Sequence, residues 1–317
     1  MSMEYRVLGN TGLKVSVLGF GASPLGGVFG EVDEQEGIRA VHTAVDLGVN
    51  FIDVAPYYGI TLAETVLGKA LKEIPRDKYY LSTKVGRYGT EDFDFSAARV
   101  IASVDESLGR LNVEYIDIIH CHDIEFGNLN QIIEETIPAL RRLQTAGKVR
   151  YISVSGLPLP VLQYVVDRTP LDTVLSYCHY TLYDTTLTEL LPYFKDKRLG
   201  VINASPFGMG LLTGQDLPSW HPAPSILKAA CAEAAQFCKS QDVELARLAL
   251  QFSLSNPDVA TTLTGIASPE QITQNVRWVE QPLDQELLAE VQRILAPVRN
   301  MTWPSGRPEN NTLGLAE

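Results

Sequence analysis

Eight short runs of β-branched and aromatic residues recur along the chain, and each ends in a glycine, a proline or a polar residue. Apolar side chains occupy both odd and even positions of each run, as at Ile116, Ile118 and Ile119. This pattern is typical of parallel strands that are buried on both faces. It predicts strands over residues 17–21, 51–55, 79–85, 115–121, 151–155, 173–178, 200–205 and 260–265.

Segments with helical periodicity separate these runs, and three of them begin with a capping signal. Asp33 with Glu36, and Thr61 with Glu64, have the spacing of a capping box. Ser268 is an N-cap residue before a late helix. We therefore expect a helix after each strand.

The alternation of strand and helix predicts a single α/β domain over residues 1–317, built as a closed (β/α)8 TIM barrel. The main alternative is a doubly wound open sheet, which normally carries a GxGxxG motif after its first strand. Here the third glycine, counted from Gly19, would fall at Pro24. Residues 4–8 and 14–18 predict an N-terminal hairpin, and residues 297–317 an irregular tail.

Net charge and targeting signals narrow the possible partners. With 26 Lys and Arg against 38 Asp and Glu, the net charge is −12, which disfavours nucleic acid and anionic membrane surfaces as partners. No apolar run approaches the ~18 residues of a bilayer span, and the N-terminus lacks the pattern of a signal peptide. The four cysteines show no CxxC spacing. We therefore expect a cytoplasmic protein.

Reactive residue types stand at the ends of three consecutive predicted strands, which is where TIM barrels carry their chemistry. Asp53 and Lys84 lie inside neighbouring strands and are expected to pair, because charged residues are rarely buried alone. A lysine beside Tyr58 would lower the pKa of the phenol and make it a general acid or base. His122 could bind a substrate oxygen. This set predicts interconversion of a carbonyl and an alcohol, which requires a nicotinamide cofactor because no side chain supplies hydride.

Each of these residues alone has an ordinary structural explanation, and their co-location is what favours catalysis. A metal site is an alternative, because His120 and His122 lie on one face of a strand. Further ligands would have to come from His179 and Asp53. That alternative leaves the lysine and the tyrosine unexplained, so we predict no metal.

Four segments resemble the aldo-keto reductases, namely residues 8–16, 51–68, 117–122 and 205–214. The resemblance extends from about residue 5 to residue 280. It implies a catalytic tetrad of Asp53, Tyr58, Lys84 and His122, with Tyr58 as the proton donor or acceptor.

The resemblance also implies a nicotinamide cofactor that lies across the barrel mouth. The implied cofactor-binding residues are Ser155, Tyr177, Ser205, Phe207, Gly208, Gly265, Ala267, Gln271 and Asn275. Three positions depart from the family pattern: Gly156 replaces an asparagine, Tyr177 a glutamine, and Ala204 an aromatic residue that commonly stacks on the nicotinamide.

The last strand and its following helix favour NAD over NADP. Family members that prefer NADP place cations against its 2′-phosphate, whereas residues 264–275 contain no Lys or Arg. NAD implies oxidation of an alcohol. The residues predict a small polyol or sugar as the substrate. The substrate-contacting candidates are Tyr57, Tyr58, His122 and Trp303, with Tyr88 and Phe207 as further candidates for the pocket wall. The alternatives are an NADPH-dependent aldehyde reductase and a non-catalytic regulatory subunit that senses the cofactor.

Overall fold

A computed structural model describes residues 3–28, 30 and 33–313. This part of the chain contains ten strands, of which β1 (Tyr5–Val7) and β2 (Lys14–Ser16) form the predicted antiparallel hairpin. The other eight are β3 Leu18–Gly21, β4 Phe51–Asp53, β5 Tyr80–Val85, β6 Ile116–Cys121, β7 Val149–Gly156, β8 Thr173–Tyr177, β9 Gly200–Ala204 and β10 Thr261–Gly265. All eight pair in parallel, and β10 pairs with both β9 and β3, which closes the sheet. The predicted (β/α)8 barrel is thus confirmed, and the open sheet is excluded.

Helices surround the barrel, and each strand from β3 to β10 is followed by at least one of them, as predicted. They are α1 Glu34–Asp46, α2 Leu62–Leu71, α3 Ala97–Leu111, α4 Leu129–Gln131, α5 Ile137–Thr145, α6 Leu159–Val166, α7 Leu187–Asp196, α8 Ser225–Ser240, α9 Leu245–Leu254, α10 Pro269–Val279 and α11 Gln285–Leu295. No helix within the described ranges has the length and apolar character needed to cross a membrane.

The N-cap at Ser268 is confirmed, and one of the two hydrogen bonds of the capping box at Asp33 and Glu36 is present among the described residues. The Asp33 carboxylate accepts a hydrogen bond from the Glu36 amide, and the Ser268 hydroxyl caps α10. The capping box at Thr61 and Glu64 is wrong, although α2 does begin at the next residue. Thr61 has a left-handed backbone (φ 73°), and the buried Glu64 accepts hydrogen bonds from Thr83 Oγ1 and Arg110 Nε, both at 2.6 Å. Glu64 therefore connects α2 to β5 and α3 instead of capping its own helix.

The hairpin closes the N-terminal end of the barrel. Leu8, Leu13 and Val15 are buried there against Phe51 and Ile202, at the beginning and middle of their strands. Because these hydrophobic side chains fill the N-terminal end, the C-terminal end of the barrel is its open end.

The tail contains only two short 3-10 turns, Ala296–Val298 and Pro308–Asn311, in its described part. It is nevertheless packed, because Trp303 and Asn310 are buried. The Arg307 amide donates to the Glu125 carbonyl at 2.9 Å, so the tail lies against the loop that follows β6.

Candidate active site

A buried ion pair lies at the open end of two neighbouring strands. Asp53 ends β4, Lys84 lies near the end of β5, and the Lys84 ammonium donates to the Asp53 carboxylate as expected. The same ammonium donates to the Val54 carbonyl at 2.8 Å, and Ser82 Oγ donates to the second Asp53 oxygen at 2.6 Å. Burial is the largest single effect and lowers the pKa of Lys84, but Asp53 and Tyr58 together raise it by more, so the net pKa lies above its ordinary value. The lysine is therefore a cation near neutral pH.

Tyr58 lies in the loop after β4, with its hydroxyl 3.2 Å from Lys84 Nζ. Burial raises the pKa of Tyr58 and Lys84 lowers it, and burial is the larger effect. The net pKa therefore lies above the ordinary tyrosine value, and the expectation of a lowered pKa is wrong. Lys84 acts in the expected direction and limits the increase.

His122 follows β6, and its ring lies 5.7 Å from the Tyr58 ring, nearly perpendicular to it. Burial, and then the nearby cations Lys84 and Arg87, hold the pKa of His122 well below its ordinary value. The imidazole is therefore neutral. Its Nδ1 is buried and has no hydrogen-bond partner in the part of the chain that the structure describes, whereas its Nε2 lies 3.6 Å from the Asp123 carboxylate.

Two cavities meet at these residues. One is a groove of about 390 Å³ that extends from Asp53 and Tyr58 to Gly265 and Gln271. The other is a pocket of about 570 Å³ lined by Tyr58, Lys84 and His122. Asp53, Tyr58 and Ser205 line both cavities, so two molecules could bind side by side with the Tyr58 hydroxyl next to each.

Most of the expected cofactor-binding residues lie along these cavities. The groove is lined by Ser205, Phe207, Gly265, Ala267 and Gln271, whereas Ser155 and Tyr177 line the pocket. Gly208 and Asn275 line neither. The Gly208 carbonyl accepts from His221 Nε2 at 3.0 Å, and the buried Asn275 amide lies 3.5 Å from Thr264 Oγ1. Asn275 therefore contacts a residue that borders the groove, and Gly208 lies between two such residues, Phe207 and Met209.

The lining of the groove has chemistry that suits a dinucleotide. It provides hydroxyl groups, small residues at Gly21 and Gly265, and the amino end of α10, where Ala267 and Gln271 lie. Among its described lining residues there is no Lys or Arg, and the carboxylates are Asp53 and Asp216.

The pocket contains the four expected substrate residues, Tyr57, Tyr58, His122 and Trp303. The two further candidates for its wall lie elsewhere. Phe207 lines the groove, and Tyr88 accepts a hydrogen bond from the Gly86 amide at 3.1 Å, outside the pocket.

Two pocket residues were missed by the sequence analysis. Arg87 and Asp123 form an ion pair at 2.5 Å, and the Arg87 guanidinium lies 3.9 Å from the centre of the Tyr57 ring. Asp123 also donates its backbone amide to Ser155 Oγ at 3.1 Å. Each of the two charged residues stands two positions after the end of a strand, a signal that could have identified them.

The histidines expected for a metal site do not converge. His120 Nε2 lies 3.7 Å from Asp53, while His179 is hydrogen-bonded to Asp184 and Thr186. Across residues 3–28, 30 and 33–313, no group of three or more His, Cys, Asp or Glu side chains is arranged to hold a metal ion.

Comparisons with known proteins identify similar sequences and folds. The model of the aldo/keto reductase family matches residues 17–296. L-galactose dehydrogenase from Arabidopsis thaliana is 54% identical, over 97% of this chain and 99% of that protein.

Two solved structures are similar over nearly their whole length. The holo form of an aldo-keto reductase from Bacillus halodurans is 30% identical, with a TM-score of 0.77 over 98% of this chain and 99% of that chain. An aldo-keto reductase from Klebsiella pneumoniae in complex with NADPH is 22% identical, with a TM-score of 0.74 over 96% of this chain and 100% of that chain. The second likeness concerns the fold alone.

Proposed function

This chain is a member of the aldo/keto reductase family, and we propose that it is a dehydrogenase that oxidises L-galactose at C1 to L-galactono-1,4-lactone with NAD. The observation that carries the proposal is the meeting of two cavities at Tyr58 and its cation Lys84. The similarity to L-galactose dehydrogenase supports the substrate.

The reaction removes a hydride from C1 and a proton from O1 of the sugar. A bound nicotinamide would supply the hydride acceptor. Tyr58 takes the proton, and Lys84 stabilises the phenolate that must exist for this transfer. The neutral His122 holds the sugar oxygen next to Tyr58.

The charges around the groove support NAD as the cofactor. A 2′-phosphate on the adenosine ribose would meet no cation among the described lining residues, and it would share the groove with Asp216. A carboxylate can instead accept hydrogen bonds from unmodified ribose hydroxyls. Ser205, Phe207, Gly265, Ala267 and Gln271 would hold the cofactor along the groove, and Ser155 and Tyr177 would lie at its nicotinamide end. Gly208 and Asn275 would act indirectly.

The lining of the pocket supports a sugar as the substrate. Tyr57 and Trp303 offer apolar faces, whereas Arg87, Asp123 and Ser305 offer donors and acceptors for hydroxyl groups. A mixture of apolar walls and a few directed polar groups is typical of small-molecule sites.

The four cysteines are free and buried, which is typical of proteins from a reducing compartment. On this ground we also propose a cytoplasmic location. The lactone product would place the enzyme in ascorbate synthesis.

The first test is to incubate the purified protein with L-galactose and to follow NADH or NADPH formation with each cofactor. D-galactose and L-fucose serve as comparison sugars. We expect rapid turnover with L-galactose and NAD. Activity with NADP alone would overturn the cofactor assignment, and cofactor binding without turnover of any sugar would favour a regulatory subunit.

Substitution of Tyr58 by Phe tests the mechanism. Because the phenol is the proton acceptor, we expect kcat to fall by roughly 10²–10⁴-fold while NAD binding is retained. Tyr80→Phe, at the closed end of β5, is the matched control and should retain activity. Full activity of the Tyr58 variant would exclude the mechanism.

A further inference from the structure

One acidic residue in the loop after β6 connects three separate parts of the barrel mouth. Glu125 is fully buried, and its Oε1 accepts three hydrogen bonds. The donors are the Leu157 amide at 3.1 Å, the Tyr177 hydroxyl at 3.2 Å and the Ser305 hydroxyl at 2.9 Å. The side chain therefore links the ends of β7 and β8 to the tail.

The backbone of Glu125 makes further contacts with the tail. Its carbonyl accepts from the Arg307 amide at 2.9 Å and from the Asn310 side-chain amide at 2.7 Å. The tail segment from residue 303 to residue 310, called here the C-terminal segment, is thus anchored at three of its residues to a single position.

Two glycines leave the space that Glu125 needs. A Cβ atom at Gly156 would lie 2.9 Å from Glu125 Oε2. A Cβ atom at Gly306 would lie 2.3 Å from the Glu125 carbonyl oxygen, and Gly306 has a φ of +76°, which favours glycine. The close packing on both sides leaves Glu125 in one position.

The C-terminal segment borders the pocket and not the groove. Trp303, Pro304, Ser305 and Gly306 all line the pocket, and no residue of the segment lines the groove. A displacement of the segment would therefore change the space for the substrate and leave the groove as it is.

We propose that Glu125 is a positioning residue that holds the C-terminal segment as the outer wall of the substrate pocket and thereby determines which sugar the enzyme accepts. The inference rests on the proposed function, because it takes the pocket to be the sugar site. It assigns Glu125 no contact with the sugar or with the cofactor.

The protonation state of Glu125 suggests a conservative variant. Burial, and then the neighbouring Asp123, raise the pKa of Glu125 to about 8. The carboxyl group is therefore mostly uncharged near neutral pH, and Glu125→Gln preserves both its charge and its acceptor oxygen. Glu125→Ala removes the three side-chain contacts, whereas Gly306→Ala displaces the segment without changing Glu125.

The experiment compares these three variants with the exposed control Glu134→Ala. Hydrogen exchange of residues 303–310 is measured without substrate, and KM, kcat and the Kd for NAD are measured with L-galactose and D-galactose. For Glu125→Ala and Gly306→Ala we expect at least tenfold faster exchange of the segment and about a tenfold higher KM for L-galactose. For Gly306→Ala, which leaves the hydrogen bond between Tyr177 and Glu125 in place, the kcat and the Kd for NAD should change less than about twofold, and Glu125→Gln should give the parent values.

Unchanged exchange in both variants would overturn the anchoring role, and faster exchange with an unchanged KM would overturn the role in substrate selection. An equal loss in NAD affinity in Gly306→Ala would also contradict the proposal, because it would indicate general damage to the barrel mouth. A parent protein that oxidises no sugar but protects its C-terminal segment would contradict the proposed function and not the anchoring.

Discussion

At the scale of single residues, the contact between Asp53 and Lys84 could be predicted from the sequence, but its effect on Tyr58 could not. Two charged residues inside neighbouring apolar strands have few alternatives to pairing, and the structure shows that contact. The net pKa of Tyr58 could not be inferred, because it depends on how completely the loop after β4 buries the phenol. Arg87 and Asp123 were not predicted as site residues, because each lies just beyond the end of a strand, where the pattern of buried residues stops.

Replacement of Lys84 by Met should affect both stability and activity. It leaves the buried Asp53 carboxylate without its cation, so we expect the free energy of unfolding to fall by about 3–5 kcal/mol. It also removes the group that lowers the pKa of Tyr58, so kcat should fall and the pH–rate profile should shift to higher pH. Urea unfolding and a pH series measure the two effects.

The control for this substitution is Lys69→Met, which removes an exposed ion pair with Glu34. Such pairs contribute about 0–1 kcal/mol. A similar small loss for both lysines would show that the buried pair is not needed for stability.

At the scale of elements, the strands were predictable because a barrel buries both faces of each strand and so leaves a continuous apolar signal. Their ends were less certain, as β7 shows, which begins at Val149 and not at residue 151. The wrong capping box at Thr61 has a related cause. Local spacing cannot reveal that Glu64 has better partners on β5 and α3.

The amino end of α10 allows a test of the preference for NAD over NADP. Gln271→Arg places a cation at the adenosine end of the groove, so we expect kcat/KM with NADP to rise about tenfold, equivalent to about 1.4 kcal/mol. The kcat/KM with NAD should change less. Gln274→Arg adds the same charge to α10 away from the groove lining, and a similar gain there would argue for a general charge effect.

At the scale of the whole molecule, the two ends of the described chain lie at opposite ends of the barrel. The hairpin closes one end of the barrel, and the C-terminal segment borders the pocket at the other. The barrel follows from local patterns that repeat along the sequence. The position of the tail does not, because it depends on contacts such as Ser305 with Glu125, which are 180 residues apart.

Glu125 gives a prediction for the stability of the whole protein. Its pKa is about 8 in the folded protein and ~4.3 in an unfolded chain, so the folded state binds more protons between these values. The free energy of unfolding should therefore decrease as the pH rises from about 4.3 to about 8, and this contribution should not change at higher pH. The titratable groups that face Glu125 are Tyr177 and Asp123, and Asp123 is paired with Arg87.

Urea unfolding of the parent and of Glu125→Gln between about pH 4 and about pH 9 isolates this contribution. We expect the variant to gain stability relative to the parent as the pH rises through this window, by about 1.4 kcal/mol for each pH unit at most. Parallel profiles would show that the Glu125 carboxyl group is ionised in the folded protein.

The placement of the C-terminal segment also has a consequence for the order in which the protein is made. The sheet can close once β10 has emerged from the ribosome, whereas Trp303 and Ser305 emerge afterwards. At about 5–20 residues per second, this interval lasts on the order of seconds. During synthesis, the groove is complete before the pocket, so a nascent chain would acquire its cofactor site before it could select a sugar.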